Sequence, residues 1–207
     1  HITRISSAAA LEMIVAARAS GIAATCDISI NHLHLSDADI GYFNPHARFA
    51  PPLRDRRDCD ALRRGLAEGA INALCSDHAP VDDDAKQAPF GEAAPGASGL
   101  ELLLPLTLKW AGEMKLPLGQ ALARITSDAA RVLGLAAGTL AVGAVADVCI
   151  FDPRGSFRVT RESLRSQGKN TPFLGRELPG RVCCTLIEGH VAFENEVSEK
   201  THARLRV

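Results

Sequence analysis

The sequence predicts an α/β fold built on parallel strands, followed by a smaller β module. Strand-like and helical segments alternate along roughly the first 133 residues, which is the pattern of repeated βαβ units. After Gly134 this alternation stops, and short strands joined by tight turns follow. The chain is 46% hydrophobic and 23% charged, so it has ample apolar surface for a core and is not intrinsically disordered.

The elements of the parallel part follow from apolar runs and from the residues that border them. Four strand-like segments are predicted, at residues 1–5, 22–30, 47–50 and 71–75. Five helices are predicted, over residues 8–20, 57–68, 100–113, 118–125 and 128–133. Ser6 or Ser7 and then Asp55 are suitable N-caps for the first two helices, and Gly21 and Gly69 end them.

The β module is predicted to begin near Leu135, which divides the chain into residues 1–135 and 136–207. A hairpin at residues 138–143 leads into a strand at 147–151. Strands at 181–187 and 190–193 flank Glu188-Gly189, which is a typical two-residue hairpin turn. An irregular stretch is expected at 153–179, and a charged, frayed tail at 194–207.

Charge and apolar patterning exclude several classes of function. The 23 basic and 24 acidic residues give a net charge of −1, so no basic surface for nucleic acid is expected. No apolar run is long enough to span a membrane. The six cysteines form no C-x-x-C pair and are interpreted as reduced core thiols of a cytoplasmic protein.

Two polar residues stand where parallel strands end. His32 follows the second predicted strand, and Asp77 follows the fourth. In α/β barrels the carboxyl ends of the strands meet at the functional face, and His with Asp are the residue types of a metal-dependent hydrolase. Each also has an ordinary interpretation, His32 as a loop histidine and Asp77 as a cap or turn residue.

Six groups of residues, taken in order, resemble the carboxyl-terminal half of a dihydroorotase, the cyclic-amide hydrolase of pyrimidine synthesis in the amidohydrolase superfamily. The resemblance covers essentially the whole chain. The groups are Asn31-His32-Leu33, Pro51-Pro52-Leu53-Arg54, Ser76-Asp77-His78-Ala79-Pro80, Gly99-Leu100-Glu101 with Leu104-Pro105-Leu106, Ala146-Asp147-Val148 with Phe151-Asp152-Pro153, and Gly168-Lys169-Asn170-Thr171-Pro172-Phe173.

This resemblance implies a (β/α)₈ barrel of the TIM type with one or two zinc ions at its carboxyl face, and a small β-sandwich formed by both chain ends. Residues 1–135 would supply barrel strands five to eight, and residues 136–207 the carboxyl-terminal portion of the sandwich. By the same resemblance His32 would be a zinc ligand, and Asp77 a zinc ligand and the catalytic general base. The chain begins inside an apolar segment without a methionine, so we expect a piece of a larger protein.

Three positions depart from the family pattern. Arg4 stands where the family has a zinc-binding histidine, and Ala50 and Val81 stand where it has a substrate-binding asparagine and histidine. A guanidinium stays protonated and has no lone pair to offer a cation. The three changes predict a dismantled site, in which Arg4 forms a salt bridge with Asp77 where a metal would otherwise lie.

The sequence therefore favours a non-catalytic dihydroorotase homologue that acts as a structural partner of aspartate carbamoyltransferase. Zinc is the cofactor of the family, and the loss of a ligand at Arg4 argues against zinc binding here. Two alternatives stay open: part of an active zinc dihydroorotase, supported by His32 and Asp77, or part of another cyclic amidase of the hydantoinase or allantoinase type. The first expected partner is the amino-terminal half of the barrel. Further expected partners are other copies of the chain, aspartate carbamoyltransferase, or both.

Overall fold

The helices and strands alternate in the first part of the chain and give way to strands alone in the second. A computed structural model describes residues 1–195; residues 196–207, which carry most of the predicted frayed tail, lie outside the described residues. The helices are α1 Ala8–Ala19, α2 Ile30–His34, α3 Arg56–Glu68, α4 Leu103–Met114, α5 Leu118–Ala123 and α6 Ser127–Leu133. The strands are β1 Asp27–Ser29, β2 Ala73–Cys75, β3 Val148–Arg158, β4 Glu177–Ile187 and β5 His190–Glu194.

Three parallel segments form the centre of the first part. β1 pairs with β2 in parallel, with Asp27 opposite Ala73. On the other side of β1, Ile2 forms a parallel bridge with Cys26. Helices α1 and α3 pack against each other, and α2 contacts α4. This arrangement is the α/β half-barrel that the sequence predicts.

The strand predicted at residues 47–50 is not formed. Pro45–Ala47 is a single 3₁₀ turn, and the chain then bends into a cis bond between Ala50 and Pro51. Pro51 and Pro52 have no N–H group to donate to a strand ladder. The described chain consequently pairs β1 directly with β2, and the expectation of four barrel strands was wrong at this position.

The strand predicted at 22–30 is shorter than expected because a helix begins inside it. Ser29 is the N-cap of α2, and its hydroxyl accepts a hydrogen bond from the backbone N–H of His32. A serine at this position satisfies an otherwise unpaired donor of the first helical turn. His32 therefore lies on a short buried helix directly after β1 and not on the predicted loop.

The main core lies between the parallel segments and the helices α3 and α4. Trp110 of α4, the only tryptophan, is fully buried there, as we expect of a core anchor. The connection between β3 and β4 adds Val159 and Phe173 to the same apolar cluster. A fully buried leucine or phenylalanine stabilises the fold by about 1.5–3 kcal/mol, so this cluster holds the two parts of the chain together.

The β module is one antiparallel sheet in the order β3-β4-β5. The predicted turn at Glu188-Gly189 is confirmed, with φ positive at both residues as hairpin turns require. β3 and β4 extend into both ends of the stretch predicted to be irregular, and β3 accommodates Pro153 by a register shift between Asp152 and Ser156. At Gly180 of β4 a Cβ atom would lie 2.2 Å from Cδ1 of Leu108, so the absence of a side chain lets the sheet lie directly on α4.

The six cysteines are free thiols. Cys26 and Cys59 are buried, whereas Cys149 is exposed, so the interpretation as core thiols was wrong for Cys149. No described helix has the length and apolar character needed to cross a membrane.

We predict that His34 makes the stability of the fold depend on pH. Its Nε2 atom bonds to the carbonyl oxygen of Leu106 at 2.9 Å, and burial lowers its pKa to about 4. Between about pH 6.5 and pH 4 the unfolded chain binds a proton that the folded chain does not, so stability is lost as the pH falls. From this histidine alone, the free energy of unfolding should fall by about 2 kcal/mol between pH 7 and pH 5.

Urea unfolding at both pH values would measure this loss. The variant His34→Gln should show a correspondingly flatter pH dependence, whereas His190→Gln, at an exposed position on β5, should behave as the unaltered protein does. A pH dependence that is the same with and without His34 would contradict the prediction.

Candidate functional site

The residues predicted to carry chemistry lie at the carboxyl ends of the parallel segments. Arg4 follows the Ile2 segment, His32 follows β1 on α2, and Asp77 follows β2. Arg4 and Asp77 both have positive φ values, 54° and 47°, which are uncommon for residues other than glycine and cost roughly 1 kcal/mol each. Such backbone conformations persist only where neighbouring groups hold them.

The predicted salt bridge between Arg4 and Asp77 is confirmed. Arg4 Nη1 donates a hydrogen bond to Asp77 Oδ1 at 3.0 Å. The same nitrogen lies 3.4 Å from the carbonyl oxygen of Ala50. The Asp77 side chain is 10% exposed and that of Arg4 is 43% exposed. One guanidinium thus joins three separate loops, and Ala50 contributes only its backbone.

Asp27 of β1 holds the backbone of Arg4 in place through a hydrogen bond. Its Oδ1 atom accepts the backbone N–H of Arg4 at 2.8 Å, and its Oδ2 atom bonds to the Thr3 hydroxyl and to Nε2 of His1. This carboxylate is nearly fully buried. Asp27 is a positioning residue that the sequence analysis missed, although an isolated carboxylate beside an otherwise apolar strand was visible in the sequence.

Cys75, which is partly buried, is a further partner of Asp27. Its thiol lies 3.3 Å from Asp27 Oδ1, and burial together with the Asp27 charge raises its pKa far above the ordinary range. The thiol therefore stays protonated and donates to the carboxylate. Since only a thiolate is a strong nucleophile or metal ligand, Cys75 stabilises the network and is not a reactive group.

Both ring nitrogens of His32 are engaged. Nε2 lies 3.1 Å from the carbonyl oxygen of Pro51 and 3.2 Å from that of Pro52. Because carbonyl oxygens only accept, Nε2 carries the proton, and Nδ1 accepts from the Ser29 hydroxyl at 2.9 Å. Burial lowers the pKa of His32, and the nearby Asp77 charge opposes part of that effect. The ring is therefore neutral and held as a structural donor.

The segment after Asp77 is held by Asn170. The backbone N–H of Val81 donates to Asn170 Oδ1 at 3.0 Å, and Asn170 Nδ2 donates to the carbonyl oxygen of Ala79. The same Oδ1 accepts from the hydroxyl of Ser98. The asparagine is buried, and its four contacts join the β2 end, the long loop and the β module. Val81 itself presents no polar side-chain group to a substrate.

These residues, as arranged, do not fit a zinc ion. Zinc needs lone pairs from thiolate, imidazole or carboxylate groups, but the His32 nitrogens are engaged and the Arg4 guanidinium offers no lone pair. Asp77 Oδ1 already accepts from that guanidinium. Within residues 1–195 no group of three or more His, Cys, Asp or Glu side chains is placed to hold a metal ion.

A parallel half-barrel with its polar residues at the strand carboxyl ends is the architecture of part of a TIM-type barrel. The Amidohydrolase family matches residues 1–192. The chain therefore belongs to the amidohydrolase family.

The curated relatives include proteins described as dihydroorotases. A "Dihydroorotase-like protein" of Pseudomonas aeruginosa is 43% identical over 194 residues, covering 94% of this chain and 46% of that protein. A "Dihydroorotase" of Geobacter sp. strain M21 is 38% identical with the same coverage. The chain thus spans just under half the length of these relatives, and the resemblance to dihydroorotases is confirmed.

Solved structures with the same fold include hydantoinases. The L-hydantoinase (dihydropyrimidinase) from Arthrobacter aurescens is 28% identical with a TM-score of 0.86, and covers 93% of this chain and 44% of its own. The D-hydantoinase from Thermus sp. is 26% identical with a TM-score of 0.85 and the same coverage. The predicted partial barrel is thereby confirmed.

We predict that Arg4 and Asp77 stabilise the fold as a coupled pair. In a double-mutant cycle with Arg4→Gln and Asp77→Asn, the coupling energy should reach about 1 kcal/mol, because Asp77 is largely buried while the exposure of Arg4 screens the pair. The measurement is urea unfolding of the four proteins.

The exposed pair Arg56 and Asp60 on α3 is the matched control. A pair one helical turn apart on a surface contributes only about 0.3–0.5 kcal/mol. If Arg4 and Asp77 coupled no more strongly than this control, the interaction would be incidental to the fold.

Proposed function

We propose that this protein is a non-catalytic dihydroorotase-like amidohydrolase, and that it serves as a structural partner of aspartate carbamoyltransferase. The observation that carries the proposal is the ion pair between Arg4 and Asp77 at 3.0 Å. A permanently charged guanidinium lies against the carboxylate that would otherwise bind metal and accept a proton. In this proposal the positive charge beside Asp77 comes from the Arg4 guanidinium and not from a metal ion.

The surroundings of the pair support the same proposal. Neither Ala50 nor Val81 has a side chain that can hydrogen-bond to a cyclic amide or to its carboxylate. His32 donates to the backbone of Pro51 and Pro52, which stabilises the loop but leaves no free nitrogen. Each of the functional groups at this face is directed at another part of the chain.

An active dihydroorotase is the second candidate. Relatives described as dihydroorotases are 38% and 39% identical to this chain, and His32 and Asp77 are retained. Activity would require the guanidinium of Arg4 to leave Asp77 and the ring of His32 to leave the proline carbonyls. The similarity to solved hydantoinases supports an alternative form of this candidate, an active cyclic amidase of the hydantoinase type.

We expect the complete protein to bind zinc far below stoichiometry and to hydrolyse neither dihydroorotate nor hydantoin above background. Metal analysis of the purified protein and a spectrophotometric assay with each substrate would measure this. Asp77→Asn should leave the readings unchanged. Stoichiometric zinc, together with turnover that Asp77→Asn abolishes, would establish the active enzyme instead.

The amino-terminal half of the barrel is the proposed cover for the open side of the parallel segments. Large apolar side chains are exposed between residues 2 and 22, at Ile2, Met13, Val15 and Ile22. Patches of this kind and unpaired strand edges are normally covered in stable proteins. Relatives about twice as long as this chain are consistent with such a cover.

We expect the complete protein to form a stoichiometric complex with the aspartate carbamoyltransferase of the same organism. Size-exclusion chromatography with mass measurement would detect the complex and also any oligomer of the protein alone. Arg4→Gln should leave assembly intact, because the proposed role depends on surfaces and not on the strand-end site. Separate elution of the two proteins would overturn the partnership. The non-catalytic assignment would not be affected, because the zinc and turnover measurements test it separately.

A further inference from the structure

A polar cavity lies at the end of the parallel segments opposite to Asp77. Its volume is about 230 Å³. Asn72, just before β2, and Gly69, at the end of α3, line one side. Arg124, Asp128 and Arg131, on and beside α6, line the other. The cavity therefore opens at the amino ends of the strands, away from the face that carries Arg4.

The carboxylate and amide oxygens of the Asp128 and Asn72 side chains are bonded within the protein. Asp128 Oδ2 accepts from Arg124 Nη1 at 2.8 Å, and Asp128 Oδ1 accepts from Arg131 Nη1 at 2.6 Å. Asn72 Oδ1 accepts from Arg18 Nη2 at 2.7 Å and from the backbone N–H of Cys26 at 3.0 Å. The oxygens that could hold a cation are already bonded to donors.

The groups left over are donors. In residues 1–195, Arg124 Nη2, Asn72 Nδ2 and the remaining N–H groups of Arg131 have no hydrogen-bond partner, and the buried Nε of Arg124 also lacks one. A Cβ at Gly69 would lie 3.2 Å from Arg124 Nη2, so the absence of a side chain keeps that edge of the guanidinium open. Two arginines and one aspartate give the lining a charge of +1.

We propose that this cavity is a binding site for a small oxyanion, a phosphate or carboxylate group. Donors without acceptors and a net positive charge are what an oxyanion needs, since its oxygens only accept. The cavity volume of about 230 Å³ is sufficient for a phosphate or a small dicarboxylate. The site is independent of the Arg4–Asp77 pair and of the function proposed above.

Calorimetric titration of the complete protein with inorganic phosphate and, separately, with succinate tests the site. Chloride keeps the ionic strength constant, so that screening does not mimic binding. We expect saturable binding of at least one of these anions, and the one that binds more tightly identifies the phosphate or the carboxylate source. The unaltered protein should also gain thermal stability with that anion.

Arg131→Gln removes one charged donor, and we expect it to weaken the binding about tenfold or more. The Arg131 side chain is 74% exposed, so the variant is expected to fold. Arg56→Gln is the matched control, because Arg56 is also exposed and paired with an aspartate on a helix, and it should bind as the unaltered protein does. The proposal is overturned if neither anion binds saturably or if Arg131→Gln binds as tightly as the control.

Discussion

A buried carboxylate and a guanidinium hold the carboxyl face of the half-barrel together. Asp27 accepts the backbone N–H of Arg4, and this bond maintains a backbone conformation that an arginine rarely adopts. With the backbone fixed, the side chain reaches Asp77 and the carbonyl oxygen of Ala50. The loops that follow three different segments of the chain therefore depend on three hydrogen bonds of Arg4, one at its backbone and two at its side chain.

The two ends of the parallel segments differ in how their charges are balanced. At the carboxyl end the charge of Asp77 is balanced by Arg4. Both ring nitrogens of His32 bond to other groups of the chain. At the amino end Asp128 balances only one of the two arginines that it contacts, and the unpaired groups are donors. In barrels the carboxyl end is usually the one that binds ligands, whereas the anion site proposed here lies at the amino end.

The sequence predicted the parallel α/β part, the antiparallel module and the pairing of Arg4 with Asp77, because apolar periodicity, turn residues and the impossibility of an arginine–metal bond are local facts. It did not predict that residues 47–50 form no strand, since their apolar character outweighed the two prolines that follow. The sequence also did not predict the hydrogen bonding of the His32 ring. It depends on the carbonyl oxygens of Pro51 and Pro52, which are distant in sequence and have no signature in side-chain type. The role of Asp27 was not predicted because its partners, an imidazole, a hydroxyl, a backbone N–H and a thiol, form no sequence motif.

The position of Arg4 also bears on how this site could change over evolutionary time. Replacing Arg4 with histidine would restore a ligand type, but it would first remove the cross-link between the loops after the parallel segments and leave Asp77 without its cation. The intermediate would be less stable before any metal could compensate, and the ring of His32 would still have to reorient. The residue that the proposed function places against the general base is thus also one that the fold relies on, so exchanging it for a metal ligand would first lower the stability of the fold.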